Sequence, residues 1–287
     1  MNNRPDEITP RRSPQVIAVS SGKGGVGKTF MSVHLAARAA QQGKRVLLID
    51  ADLGMANVDI MLGLTAKGSI LQVIEGESEL NDIIVKGGER LDVLPGGSGL
   101  HELSHLSAAN QHILLDELDN LTQNYDLVLV DTGAGIGDNV MFYASSSETV
   151  LVVLTPDPTS LTDAYALIKV LSTQHNTTRF MVAVNQADEV AAQMVFRRLL
   201  AVSDRYLDVV LDYVGHMTEC PSVRKAIQSQ KLLYSCGSQK AIDSLNKLAD
   251  TVLSRPRRIS GGGLQFSWQS TLAEGLYANN MRADETI

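Results

Sequence analysis

The sequence predicts an α/β fold, a single domain in which a mostly parallel sheet carries helices on both faces. Short apolar, β-branched runs alternate along the chain with longer segments of helical spacing, and this alternation is typical of right-handed βαβ units. Several of the runs are almost wholly apolar, which indicates strands buried on both faces. A glycine-rich turn also joins the first run to the first helical segment.

These patterns place the predicted elements in order along the chain. Strands are predicted at residues 15–20, 45–50, 91–94, 127–131, 149–154, 179–185 and 207–215. Helices are predicted at residues 28–42, 108–123, 161–175, 187–203 and 239–253. We therefore expect a disordered segment at residues 1–14, one α/β domain at 15–254, and a linker with an amphipathic tail at 255–287.

The composition restricts the classes of protein to which the chain can belong. With 287 residues, of which 44% are hydrophobic, the chain is long enough for one large core. The formal net charge of −7 disfavours direct binding to nucleic acid, because non-specific binding needs cations against phosphates. Residues 1–14 lack the apolar stretch of a secretory signal, and no apolar run is long enough to span a membrane, so we expect a cytoplasmic protein.

The cysteines and histidines show no metal-ligand pattern. Cys220 and Cys236 form no CxxC pair, which indicates a reducing compartment and neither a structural zinc nor an iron–sulfur cluster of the CxxC kind. His34 lies on the predicted first helix and is interpreted as structural or solvated.

Residues 21–29, with the sequence SGKGGVGKT, form a P-loop pattern between a predicted strand and a predicted helix. The glycines let backbone N–H groups approach phosphates closely, and the helix N-terminus adds partial positive charge. We expect Lys28 to contact the β- and γ-phosphates of a nucleotide and the Thr29 hydroxyl to ligate Mg²⁺. The predicted nucleotide contacts of this segment are Gly22, Lys23, Gly24, Gly25, Val26, Gly27, Lys28, Thr29 and Phe30.

Carboxylates follow two of the predicted strands, at the edge of the sheet where ligands of open α/β folds bind. Asp131 ends the run VLVD, a Walker B pattern that delivers a carboxylate to the Mg²⁺ shell through water. Asp50 and Asp52 follow the second strand, and either is a candidate for orienting an attacking water, with Asp52 favoured. The predicted metal ligands are thus Thr29, Asp52 and Asp131.

The motifs resemble those of the MinD/ParA family of ATPases, and within it those of the FlhG/FleN group, which sets flagellar number and placement. KGGVGKT at residues 23–29 is the deviant Walker A sequence of the family, and DADLGMANVDIMLG at 50–63 and DTGAGI at 131–136 match further family segments. PTSLTDAYALIKVL at 158–171 is the match most specific to the group. The similarity covers most of residues 15–255 and implies a P-loop ATPase domain that binds ATP or ADP with Mg²⁺.

The resemblance also implies roles for single residues. Lys23 resembles the signature lysine that crosses a nucleotide-sandwich dimer to the partner's phosphates, where a cation supplied in trans stabilises developing charge. Asp52 resembles the switch I aspartate that positions the hydrolytic water, and Asn57 a switch I residue close to the dimer interface. Asp157 matches a position, usually Glu in the group, that contacts the opposing nucleotide.

A second set of residues is similar to the family's base-binding positions. Asn185 ends a predicted strand where the family's asparagine hydrogen-bonds adenine, although an asparagine at a strand end is equally typical of a turn. Thr218 and Glu219 are then expected near the base or the ribose, mainly through their backbone.

The resemblance implies a molecular switch in which ATP with Mg²⁺ joins two copies into a homodimer and hydrolysis releases them. The implied partners are a flagellar transcription activator of the FleQ class and the GTPase FlhF. Residues 1–14 lack the DQAxxLR motif with which members of the group stimulate FlhF. A ParA-type partitioning ATPase and a nucleotide-dependent scaffold with negligible hydrolysis are the alternatives.

The C-terminal segment carries Leu264, Trp268, Leu272 and Leu276 at a spacing of four residues, as an amphipathic helix would. Relatives in the group carry a membrane-targeting helix at this place. Residues 264–281 nevertheless contain no Lys or Arg, which weakens attraction to an anionic leaflet. Packing of the tail on its own domain, peripheral membrane contact and disorder therefore stay open.

Overall fold

The computed structural model of the chain describes residues 14–52, 57–68, 72–73, 75–96 and 117–256. The strands are β1 (Gln15–Ser21), β2 (Val46–Ala51), β3 (Val85–Gly88), β4 (Leu91–Leu94), β5 (Leu127–Ala134), β6 (Thr149–Leu154), β7 (Arg179–Asn185) and β8 (Val210–Met217). The described helices are α1 (Lys28–Gln41), α2 (Val58–Leu62), α3 (Leu80–Ile83), α4 (Asp138–Ser145), α5 (Pro158–His175), α6 (Glu189–Tyr206), α7 (Pro221–Gln228), α8 (Leu233–Cys236) and α9 (Gln239–Leu253), and residues 117–122 are also helical.

The strands form one sheet in the order β3-β4-β2-β5-β1-β6-β7-β8. Every neighbouring pair is parallel except β3 and β4, which pair antiparallel at one edge. From β1 the chain first builds the side of the sheet that contains β2, β4 and β3, then inserts β5 between β2 and β1, and finally adds β6, β7 and β8 on the other side of β1. The strand order thus reverses at β1, and such a switch point is where open α/β sheets bind ligands. The predicted mostly parallel α/β fold is confirmed.

Helices cover both faces of the sheet, as predicted. Side chains of β1 alternate between the faces: Ile17 and Val19 pack into the cluster that includes α1 and α9, whereas Ala18 packs into the cluster that includes α4, α5 and α6. A third cluster on this second face, around Val16, joins β2 and β5 to α3 and to residues 117–122. Because β1 is buried on both faces, packing fixes the position at which the following loop begins.

Several boundaries differ from the sequence predictions by two or three residues. Strand β5 continues past the predicted residue 131 to Ala134, and α5 begins at Pro158 rather than at residue 161. The predicted helix at 187–203 continues to Tyr206, and the predicted strand at 207–215 begins only at Val210. Leu207 ends the helix instead, where its N–H donates to the Ser203 carbonyl at 2.8 Å. The apolar character of residues 207–210 indicated a strand, but only pairing of Val210 with Arg179 sets where the strand begins.

Several short elements were not predicted. Strand β3 contains Lys86 and two glycines, which have low strand propensity, and it is held by its pairing with β4. Of the predicted helix at 108–123, residues 117–122 are helical and the part before 117 lies outside the described residues. The predictions for the N-terminus before residue 14 and for the tail after residue 256 also lie outside them. No described helix combines the length and the apolar character needed to cross a bilayer.

Candidate nucleotide-binding site

The P-loop joins β1 to α1 and is held by backbone and side-chain contacts on both sides. A Cβ on Gly22 would lie 2.0 Å from the Asp163 carbonyl oxygen, so the start of the loop packs directly against the backbone of α5. A Cβ on Gly27 would lie 2.3 Å from Asn185 Nδ2, and Gly27 also has a φ of 91°. Only glycine fits at these two positions without displacing its neighbours.

Lys28 is the first residue of α1 and is 8% exposed. Burial lowers the pKa of its ammonium group, while the negative charges of Asp131 and Asp52 raise it. The side chain therefore places a partly desolvated cation near the carboxylates of Asp131 and Asp52 at the start of α1. Such a cation interacts strongly with phosphate, because little water remains to screen it.

Asp131 ends the apolar part of β5 behind the P-loop and is 1% exposed. Burial raises the pKa of its carboxyl group to about 6, and hydrogen bonds from the Thr29 and Ser32 hydroxyls oppose that shift. Ser32 Oγ donates to Asp131 Oδ1 at 2.8 Å. The carboxylate thus stands beside the hydroxyl that a P-loop uses for Mg²⁺.

The donor set at this place fits Mg²⁺, which prefers hard oxygen ligands and keeps several waters. Thr29 and Asp131, with Asp52 nearby, would hold the ion, which when bound would neutralise charge on the nucleotide phosphates. Within the described ranges no three His, Cys, Asp or Glu side chains gather into a metal cluster. Mg²⁺ bound with a nucleotide would take its remaining ligands from phosphate oxygens and water, as it usually does in nucleotide sites.

Asp50 lies opposite Asp131 in the register of β2 and β5, but it has a different environment from Asp52. Its carboxylate accepts backbone N–H bonds from Asp52 at 3.2 Å, Asn57 at 3.0 Å and Val58 at 3.1 Å. Burial raises the pKa of Asp50 to about 7, and these N–H bonds oppose the shift. Asp50 therefore holds the backbone just after β2 and at the start of α2, whereas Asp52 lines the adjacent cleft.

The cleft has a volume of about 590 Å³ and opens between the P-loop, α2 and the connection from β5 to α4. Eight of the predicted contacts line it: Gly24, Gly25, Gly27, Lys28, Thr29, Phe30, Asp52 and Asn57. The other lining residues were not predicted as contacts from the sequence; they are Ala51, Ile60, Met61, Gly133, Ala134, Asn139, Val140 and Ile227. Five of them lie in the family segments at residues 50–63 and 131–136, which were the sequence signals that α2 and the connection after β5 border a ligand.

Lys23 and Asp157 were predicted to act across a dimer, and in the single chain they contact each other. Lys23 Nζ donates to Asp157 Oδ2 and to the Thr159 hydroxyl, and both side chains are partly exposed. The same aspartate begins α5 by accepting the Thr159 N–H at 2.9 Å. The hydrogen bond from Lys23 lowers the pKa of Asp157 to about 2. Neither residue lines the cleft.

Asn185 lies beneath the P-loop rather than in the cleft. Its Nδ2 donates to the Val26 carbonyl at 2.8 Å, and its Oδ1 accepts the Gln186 N–H at 2.9 Å. Asn185 pairs with Met217 at the ends of β7 and β8, so Thr218 and Glu219 follow at the neighbouring strand end. Glu219 forms an ion pair with Arg224 at 3.0 Å. The structure thus brings together the residues predicted near the base.

His34 connects the helix behind the P-loop to the C-terminal part of the domain. The buried ring accepts the Leu233 N–H at Nε2 at 2.9 Å, so the proton on Nδ1 is donated to the Phe30 carbonyl at 2.7 Å. Burial lowers the pKa of His34 to about 4. The interpretation of His34 as structural is confirmed.

Comparison with known proteins gives consistent matches over this region. Residues 14–187 match the AAA domain family. The chain is 47% identical over 221 residues to antiactivator FleN of Pseudomonas aeruginosa, covering 77% of this chain and 79% of the relative. It is 32% identical over 241 residues to the flagellum site-determining protein YlxH of Helicobacter pylori, covering 83% and 82%.

Solved structures with the same fold include cell-division proteins. The structure is similar to one from the MinC:MinD complex of Aquifex aeolicus, with a TM-score of 0.68, 28% identity and coverage of 87% of this chain and 100% of that chain. It is also similar to MinD of Pyrococcus horikoshii complexed with Mg-ADP, with a TM-score of 0.68, 25% identity and coverage of 84% and 96%.

Proposed function

The chain belongs to the MinD/ParA class of ATPases, within the FlhG/FleN group, and we propose that it is an ATP-dependent dimerising switch that regulates flagellar number and placement. The ATPase activity follows from the family. The flagellar role is supported by the names of two relatives, an antiactivator and a flagellum site-determining protein. The switch is supported by the geometry of the cleft.

The observation that carries the proposal is that Lys28 and Asp52 line one cleft with the P-loop, with the Asp131 carboxylate close enough to raise the pKa of Lys28. The loop's N–H groups and Lys28 hold the phosphates, and Asp52 orients a water against the terminal phosphorus. Attack by that water breaks the bond to the β-phosphate oxygen, which gives ADP, phosphate and a proton. Asp50 holds the backbone on which Asp52 lies.

Dimerisation gives Lys23 a second position. In the single chain it contacts Asp157 and Thr159, and both ion-pair partners are partly exposed, so the contact exchanges with solvent at little cost. In the ATP-bound homodimer, Lys23 would leave this contact and reach the phosphates of the partner subunit, with Asn57 and Asp157 near the interface. Asn185, Thr218 and Glu219 would border the adenine or ribose.

The proposed output is binding to a flagellar transcription activator of the FleQ class and to FlhF, as in the group that the chain resembles. The protein would act in the cytoplasm, with peripheral contact at the inner membrane or a pole through residues 264–281. Deletion of residues 262–287 should abolish sedimentation with anionic liposomes. Unchanged sedimentation of the shortened protein would contradict membrane contact by the tail.

The switch is tested by light scattering of Asp52→Ala with Mg-ATP and with Mg-ADP. Loss of the water-positioning carboxylate should slow hydrolysis by at least about a hundredfold while ATP binding persists, so the ATP sample should be a dimer and the ADP sample a monomer. Lys28→Ala, which cannot hold the phosphates, should be a monomer in both. A monomer of Asp52→Ala with ATP demonstrably bound would contradict the dimer switch.

The alternative functions give different results in the same samples. A partitioning ATPase would bind DNA in its ATP state with an affinity that falls steeply with salt, which the net charge of −7 disfavours. A nucleotide-dependent scaffold would dimerise with ATP but show no difference in turnover between the wild type and Asp52→Ala.

A further inference from the structure

Asn139 is a polar side chain in the cleft to which no motif assigns a role. It lies in the first turn of α4 and is half-buried, and it lines the cleft together with Lys28, Thr29 and Asp52. Within the described part of the chain its amide forms no hydrogen bond and no ion pair. An amide that borders a phosphate site without an internal partner can donate and accept hydrogen bonds to whatever occupies that site.

Its neighbours place Asn139 on the same side of the cleft as Asp52. A Cβ on Gly133 would lie 3.5 Å from Val140 Cγ2 and 3.7 Å from Asp52 Oδ1, so the first turn of α4 and the Asp52 carboxylate meet at Gly133. Lys28 and Thr29 lie on the P-loop side. The phosphate ligands thus form one wall, and Asp52 with Asn139 forms part of the other.

An attacking water sets a specific requirement for this second wall. Its reacting lone pair must point at the terminal phosphorus, so both of its protons need acceptors on the far side. Asp52 supplies one acceptor. A second carboxylate would repel the phosphate oxygens, whereas an amide oxygen accepts a hydrogen bond without adding negative charge.

We propose that Asn139 is a second water-positioning residue, whose Oδ1 accepts one proton of the attacking water while Asp52 accepts the other. This inference rests on the proposed role of Asp52 in ATP hydrolysis. It adds to that role a neutral contact contributed by α4, an element that follows the glycine-rich connection after Asp131. No charge changes on Asn139 during the reaction; the residue acts by orientation alone.

The test is single-turnover ATP hydrolysis by Asn139→Ala, with ATP and ADP affinities measured by titration. The variant should hydrolyse bound ATP about tenfold to a hundredfold more slowly, because one acceptor for the water is lost. Its affinities for ATP and ADP should stay within about twofold of the wild type. Asp138→Ala, in the same helical turn but outside the cleft lining, should match the wild type in all three measurements.

Asn139→Asp tests the hydrogen-bond acceptor separately from the donor, because it keeps a side-chain oxygen and removes the amide NH₂ group. It keeps an oxygen at the same position and adds negative charge, so it should recover most of the rate of hydrolysis of bound ATP while binding ATP several-fold more weakly. If Asn139→Ala instead weakens ATP but not ADP binding at an unchanged rate, the amide binds the terminal phosphate and the proposal is overturned. Unchanged rate and affinities overturn it as well.

Asp52→Ala is measured in parallel, so that the two failures are distinguishable. Full turnover of Asp52→Ala would refute the proposed water-positioning role of Asp52, on which the inference depends. Inactive Asp52→Ala together with fully active Asn139→Ala would refute only the role of Asn139. Thermal unfolding of the nucleotide-free variants identifies any loss of rate that comes from unfolding, and in that case Asn139→Asp decides the outcome.

Discussion

The two walls of the cleft are built differently. On the P-loop wall, Gly22 packs against the backbone of α5, Gly27 packs against Asn185, and Lys28 is buried. On the opposite side, the lining residue Ile60 is 54% exposed, and Ile136, which follows the lining residues Gly133 and Ala134, is 51% exposed. Packing within the protein therefore shapes the P-loop wall before a nucleotide binds. The opposite wall depends more on the ligand or partner that it contacts.

The strongest test of phosphate binding by the P-loop wall is Lys28→Ala. The variant should lose ATP and ADP affinity by more than about a hundredfold, because a partly desolvated cation is removed from the phosphates. Lys169→Ala, an exposed lysine on α5, is the matched control and should bind as the wild type does. Isothermal titration measures both, and micromolar ATP affinity in Lys28→Ala would refute the P-loop assignment.

Gly22→Ala tests whether packing fixes the P-loop wall. The added methyl would overlap the Asp163 carbonyl, so either the loop or α5 must move, and we expect a loss of about 3 kcal/mol in the free energy of unfolding. Gly24→Ala is the control, since no atom lies within 4 Å of its Cβ and its stability should change by less than about 1 kcal/mol. Urea denaturation without nucleotide compares them, and equal stabilities would contradict the packing argument.

The packing of α1, which lies behind the P-loop wall, depends on a neutral His34 side chain. Its pKa is lowered from 6.5 to about 4 in the folded state, so its contribution is complete above pH 6.5 and is lost as the pH falls toward 4. Between pH 7 and pH 5 the wild type should lose about 2 kcal/mol of stability relative to His34→Gln.

The comparison with His34→Gln is necessary because other buried groups shift stability in the opposite direction. The pKa values of Asp50 and Asp131 are raised to about 7 and 6, so their contributions are present at low pH and are lost as the pH rises through those values. Both proteins carry these aspartates, and the difference between their curves isolates His34. Parallel curves would show that His34 keeps an ordinary pKa.

Gly135→Ala should give the smallest effect and tests the open wall. Gly135 has a φ of 94°, but no atom lies within 4 Å of the place that an added methyl would occupy, so only backbone strain of about 1 kcal/mol is expected. Its N–H bond to the Ser21 carbonyl, at 2.9 Å, can persist. A loss as large as that of Gly22→Ala in the same urea experiment would show that the two walls are equally constrained.

The features that could be predicted from the sequence are those with a local signal. The P-loop glycines, Lys28 and Thr29 are adjacent in the chain and lie between a strand and a helix with clear patterns, so their placement in the cleft could be predicted. The carboxylates at the ends of β2 and β5 could also be predicted, because parallel strands end at one edge. The boundary at residues 207–210 could not, since strand pairing decided it.

Sequence patterns could not predict the contacts that these residues make with distant parts of the chain. The contact of Gly22 with Asp163 joins positions far apart in the chain, as do the contacts of Lys23 with Asp157 and of His34 with Leu233. Asn139 lies in no sequence motif. It became a candidate for positioning the water only because the structure places α4 close to Asp52. Asp50 and Asp52 have the same side chain, two positions apart, and the fold places them in different environments.

By itself, the sequence determined the α/β fold class and the phosphate-binding loop, because periodicity and glycine spacing act over a few consecutive residues. The class of ATPase came from the resemblance of its motifs to those of a known family. Only the tertiary structure decided which carboxylate lines the cleft, which backbone holds the loop in place and which side chains lie on the same side of the cleft as Asp52. Those features arise from burial and from contacts between distant segments, which depend on how the whole sheet packs against its helices.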